Sequence, residues 1–160
     1  MISYLQFLVK STNQHGVHSP FVYHYITKGL YGAKKDLSIS NKTNQWLLQS
    51  IQYFNPNAVY FSDKSLLDHI KQTLIEKSVE LTQADLILEC YALENHTHIL
   101  QTISEMNNSQ LLLIALYSYP KYFIDELRKN PDITLVVDFY YGCLISKRTE
   151  QLKQNFFIRY

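Results

Sequence analysis

The stretch "ADLILECYALENHTHILQTISEMNNSQLLLIAL", residues 84–116, decides the fold class. It opens and closes on short apolar runs, "ADLILECY" (84–91) and "QLLLIALYS" (110–118), with "ENHTHILQTISEM" (94–106) between them. The outer runs are continuously apolar, with no alternation, as strands covered on both faces require. The middle segment places Ile99, Ile103 and Met106 on one side of a helix. Strand, helix, strand over this length is the signature of two parallel strands joined by a crossover.

The same grammar extends outward. "AVYF" (58–61) predicts a short buried strand, followed by a helix over "KSLLDHIKQTLIEK" (64–77). Leu67, Ile70 and Leu74 face inward there, and Ser65 and Asp68 resemble a capping pair. Towards the C-terminus, "YPKYFIDELRKN" predicts a helix stopped by Pro131. Three apolar runs follow, "ITLVVDF", "GCLISKR" and "NFFIRY". No helix-length segment separates these three, so 133–139 and 155–160 are expected to extend the sheet antiparallel.

Before the first strand the chain reads as helical. Ile2, Leu5, Phe7, Leu8 and Val9 suit a short helix. "TNQWLLQSIQYF" sets Leu47, Leu48, Ile51 and Phe54 on one stripe and stops at Asn55-Pro56. Between these two lies "NQHGVHSPFVYHY" (13–25). Ser19 is placed to cap free N–H groups, and Pro20 at the first helical position loses nothing by lacking one. That helix is expected to reach Gly29 or Gly32, where a left-handed glycine ends it. The expected organisation is one α/β domain over 1–160, with N-terminal helices in 1–56 and the sheet in 57–160.

Composition narrows the function classes. A chain of 160 residues with 46% hydrophobic content and only four glycines and four prolines is a globular domain with a real core. A net charge of +1 gives no basic face for nucleic acid or an acidic membrane. "LLLIAL" is too short to span a bilayer, and the first ten residues lack the pattern of a secretory signal. Cys90 and Cys143 sit in apolar runs and read as reduced core residues of a cytosolic protein. The thirteen tyrosines read mainly as half-buried strand and helix positions.

The candidate chemistry is sparse. In a parallel sheet, ligands bind beyond the carboxyl ends of the strands. After the first strand comes "FSDKS" (61–65), with no glycine between Gly32 and Gly142. A nucleotide cofactor needs bare backbone at such a turn, because a Cβ obstructs its approach. After the second strand, Glu89 is a single acid that reads either as a ribose or metal contact or as an internally bonded carboxylate. The third strand is followed by "YSYP", which offers hydroxyls and aromatic faces but no acid–base pair. His15 with His18, and His96 with His98, are not spaced i, i+4, and the latter pair point roughly 200° apart on a helix. No metal site is expected from them. His15 and His18 are instead expected to hydrogen-bond a turn against the domain. Ser19 reads as a cap and not as a nucleophile, and G-x-S-x-G does not occur.

The motif "HGVHSPFV", carried by His15, Gly16, His18, Ser19 and Pro20, resembles the opening of a family of bacterial class I S-adenosylmethionine-dependent methyltransferases. "WLLQSIQYFNP" leading into "AVYF" is similar to that family's helix and first strand. Asn95-His96 stand where it has an Asn-His before a helix, and "ITLVVDFYYGCLISKR" with "KQNFFIRY" resemble its closing strands. The resemblance implies a Rossmann-like, mostly parallel sheet, shortened, with antiparallel C-terminal strands. It also implies a Glu-x-Gly-x-x-x-Gly pattern after the first strand, which this chain lacks. The second strand of the family ends in an acid for the cofactor's ribose. Here only "SVELTQA" separates the helix ending near Lys77 from the next strand, too little for a further strand–helix–strand unit of at least ~20–30 residues. Glu80 is the one residue there that could mimic the ribose acid. The resulting expectation is a degenerate, non-catalytic pseudoenzyme without cofactor, catalytic residues or metal, acting through a protein partner or as a homo-oligomer. The alternative is an active methyltransferase whose atypical S-adenosylmethionine site uses Ser62, Asp63 and Glu89.

Overall fold

A computed structural model describes residues 4–62, 77–150 and 152–160. Its helices are α1 (Tyr4–Lys10), α2 (Pro20–His24, continuing as π-helical turns over Tyr25–Tyr31), α3 (Lys42–Phe54), α4 (His96–Glu105) and α5 (Lys121–Lys129). Its strands are β1 (Val59–Phe61), β2 (Leu86–Cys90), β3 (Leu111–Ala115), β4 (Leu135–Asp138), β5 (Gly142–Ser146) and β6 (Gln154–Phe157). The expected helix over 64–77, with its capping pair Ser65 and Asp68, lies almost wholly outside the described residues.

The strands form one sheet in the order β1-β2-β3-β5-β4-β6. The fold is α/β with a mostly parallel sheet, compatible with a Rossmann-like architecture. β1, β2 and β3 are parallel neighbours as the sequence predicts, in the register Leu86↔Leu111 and Val59↔Leu86. The carboxylate of Asp85 ties the first two together at their start, accepting from the N–H groups of Asn57 and Ala58.

The C-terminal strands correct the expected pattern. β4 and β6 run with β1–β3, and only β5 opposes them. The physical reason is the connections. α5 is a crossover, so β4 leaves it pointing the same way as β3. The three-residue turn after β4 then reverses β5, which fills the gap between β3 and β4. From β5 the chain passes β4 and pairs with its far edge, which restores the parallel direction.

Residues alternate strictly between two cores. Leu86, Leu88, Leu111, Leu113, Leu135, Val137 and Leu144 pack against α2 and α3, around Tyr25, Ile26, Trp46 and Leu47. Ile87, Leu112, Ile114, Val136, Cys143 and Ile145 pack against α4, α5 and Phe7 of α1. The N-terminal helices are therefore split between the two faces. The chain crosses from one to the other at the sheet edge, where Thr12 N–H donates to Phe157 C=O and Arg159 N–H donates to Thr12 C=O.

The opening motif works through this crossing. Ser19 Oγ accepts from Val22 N–H at 3.4 Å, and Pro20 begins α2. Gly16 is required because a Cβ there would meet Thr12 Oγ1 at 2.1 Å. His15 and His18, expected to brace the turn, are exposed. The Asn13 side chain accepts from His15 N–H instead, and burial of Val17 anchors the segment. Gly32 also departs from expectation. Its φ of −84° is right-handed, and the π-helical turns end with its N–H donating to Thr27 C=O. The left-handed positions are Asn55 (φ 42°), which terminates α3, and Tyr140 (φ 70°) in the β4–β5 turn.

Candidate functional site

Three of the parallel strands, β1, β2 and β4, deliver a polar side chain at or near their carboxyl ends, on the α4–α5 face or beside it. β1 ends at Phe61, followed by Ser62. β2 carries Glu89 one residue before its end, and β4 ends in Asp138. Both carboxylates are fully buried, which is costly unless donors surround them.

Glu89 is surrounded. Ser62 Oγ donates to its Oε2 at 2.5 Å and Thr102 Oγ1 donates to its Oε1 at 3.3 Å. His98 Nε2 lies 3.5 Å from the same Oε1. The structure thus brings together Ser62 and Glu89, two of the three residues singled out for a cofactor site; Asp63 lies outside the described residues. Glu80 is exposed, just after an isolated parallel bridge that Ser78 forms with Val59. A single bridge, and not a strand, therefore flanks β1 on that side among the described residues.

Asp138 was not legible as a special residue. It accepts from Tyr119 Oη at 2.6 Å, from Arg128 Nη2 at 2.6 Å and from Tyr140 N–H at 2.9 Å. Burial pushes its carboxyl above the ordinary range, against the opposing pull of those donors. Burial beside Asp138 also raises the Tyr119 phenol strongly. The guanidinium of Arg128 in turn lies 3.9 Å from the Phe157 ring centre. The only sequence signal was the Asp-Phe…Gly turn. Gly142 stands there because a Cβ would meet the Trp46 ring at 2.1 Å.

Between the ends of β2 and β3 a cleft of about 620 Å³ opens, the expected place for a ligand in such a sheet. Its floor is Phe123, Tyr119 and Tyr91, the last stacked on Phe123 at 4.4 Å between centroids. Its rim carries Leu93, 81% exposed, and Tyr122, 90% exposed. The loop after β2 is held by Asn95, whose Oδ1 accepts from Ala92 N–H and whose Nδ2 donates to Cys90 C=O. His96 follows and bridges the cleft wall, with Nε2 2.9 Å from Glu126 and Nδ1 3.4 Å from the Tyr91 hydroxyl. The two histidines of α4 thus diverge, His96 to α5 and His98 to β2. Among the described residues, no three His, Cys, Asp or Glu side chains converge as a metal site. Nor is any described helix long and apolar enough to cross a membrane.

Chemically, the carboxyl edge of the sheet holds two buried acids already engaged by protein donors, and one open aromatic cleft. Compared with known protein families, curated proteins and solved structures, the chain matches none of them.

Proposed function

We propose that the chain is a degenerate methyltransferase-like domain that does not catalyse methyl transfer and acts by binding another protein. The observation that carries this reading is the hydrogen bond from Ser62 to Glu89. The strand-end acid serves as an internal strut between β1, β2 and α4, and a ligand would have to displace protein donors to reach it. The glycine-free sequence from Ser62 onward supports the same conclusion, since every residue there carries a Cβ that a cofactor-binding turn cannot accommodate. Leu93 and Tyr122 supply the contact surface. They are large apolar groups standing in solvent beside a concave cleft, a pattern associated with partner recognition.

A second reading, an active methyltransferase with an atypical site, draws support from the bridge between Ser78 and Val59, which leaves the exposed Glu80 close to the edge strand. Calorimetric titration with S-adenosylmethionine and with its demethylated product separates the two. The binding-module reading expects no saturable heat up to millimolar ligand. Losing ~4 kcal/mol of contacts weakens a site roughly a thousandfold, enough to take micromolar affinity to millimolar. Low-micromolar binding overturns this reading and makes Glu89 and Asp63 the first residues to mutate.

A further inference from the structure

On the opposite side of the sheet from the cleft, a smaller pocket of about 240 Å³ lies at the start of α3. Lys35, Ser40, Lys42, Gln45 and Tyr160 line it, together with the loop that carries Asp36. α3 is a 13-residue helix with no acidic residue in its first turn, and its first residue is Lys42. A cation at that position opposes the helix dipole, which favours negative charge there. The N-cap Asn41 satisfies only the N–H of Asn44 with its side chain. Gln45 is 6% exposed, and its amide nitrogen has no hydrogen-bond partner. A buried donor left unpaired is costly, so its retention calls for a partner. Among the described residues neither Lys35 nor Lys42 forms an ion pair. Their ammonium groups rest over the rings of Tyr160 and of Tyr4 and Tyr141. The lining aspartate, Asp36, accepts through Oδ1 from the N–H and the hydroxyl of Ser38.

We propose that this pocket binds a small oxyanion, the phosphate or carboxylate group of a compact ligand, between Gln45, Lys35, Lys42 and the first turn of α3. Lys35 and Lys42 supply two cations, Gln45 the buried donor and the helix its N–H groups. The volume admits such a group with a few attached atoms and excludes a nucleotide.

The test is a titration followed by amide and side-chain NMR. Sodium phosphate and sodium acetate are the two probes, each against sodium chloride at matched ionic strength. Saturable shifts centred on the Gln45 side-chain amide and the N–H groups of residues 42–44 are expected, with either phosphate or acetate as the tighter probe identifying the group. Gln45→Leu and the surface variant Lys42→Gln are each expected to weaken the binding at least tenfold. The proposal is overturned if neither probe saturates, or if chloride reproduces the shifts. It also fails if binding survives unchanged in Lys42→Gln, a variant that keeps the core intact.

Discussion

Tyr119, in the floor of the aromatic cleft, donates its hydroxyl at 2.6 Å to Asp138, which ends a strand two positions from β3 in the sheet. Arg128 of α5 meets the same oxygen. This trio fastens the loop after β3 and the helix α5 to the end of β4, so it sets the shape of the cleft from below.

Asp138 therefore makes stability depend on pH in a defined direction. Burial holds its folded-state pKa above the ordinary 3.8, so the folded chain binds this proton more tightly than the unfolded chain does. Its contribution is complete below pH ~4 and is lost as pH rises through the raised value. The stability of wild type relative to Asp138→Asn should thus decline as pH climbs from about 4, in denaturant melts across a pH series. A gap that grows in favour of wild type would mean that Arg128 outweighs burial.

Removing the Ser62 hydroxyl takes a donor from a fully buried carboxylate. Ser62→Ala should cost about 1–3 kcal/mol, measured as the shift in urea midpoint at constant slope. An unchanged midpoint would show that the Ser62–Glu89 bond is not a structural strut, and would return weight to a ligand-facing Glu89.

At Gly142 an added methyl points into the six-membered ring of Trp46. Trp46 is fully buried and packed against Phe139, so it has little room to yield. Gly142→Ala is expected to destabilise by about 1–3 kcal/mol or more, seen as a lowered Tm and altered Trp46 fluorescence.

Ser19→Ala removes the side-chain cap of α2 and should cost about 0.5–2 kcal/mol in equilibrium unfolding. A variant with wild-type stability that loses a measurable activity would instead make Ser19 a functional residue.

The legible part of this protein was local. Apolar runs of strand length, helical stripes such as Leu47–Ile51 and punctuation such as Ser19-Pro20 and Asn55-Pro56 act within a few residues. They located the six strands and all the described helices to within a few positions. The exclusion of glycine from the turn after β1 was equally local, and so was the interest of Glu89 as an acid at a strand end. What only the tertiary structure decided was the pairing of the C-terminal strands. β5 lies between β3 and β4 because a crossover and a tight turn place it there, and neither residue pattern nor propensity encoded that order. The same holds for the carboxyl edge. Ser62 meets Glu89 across 27 positions, and His96 meets Glu126 across 30. Tyr119, Arg128 and Asp138 converge from three elements. Each is an ordinary residue in sequence. Their roles arise because burial makes an unpaired carboxylate too costly, and the fold alone determines which donors are near enough to pair with it.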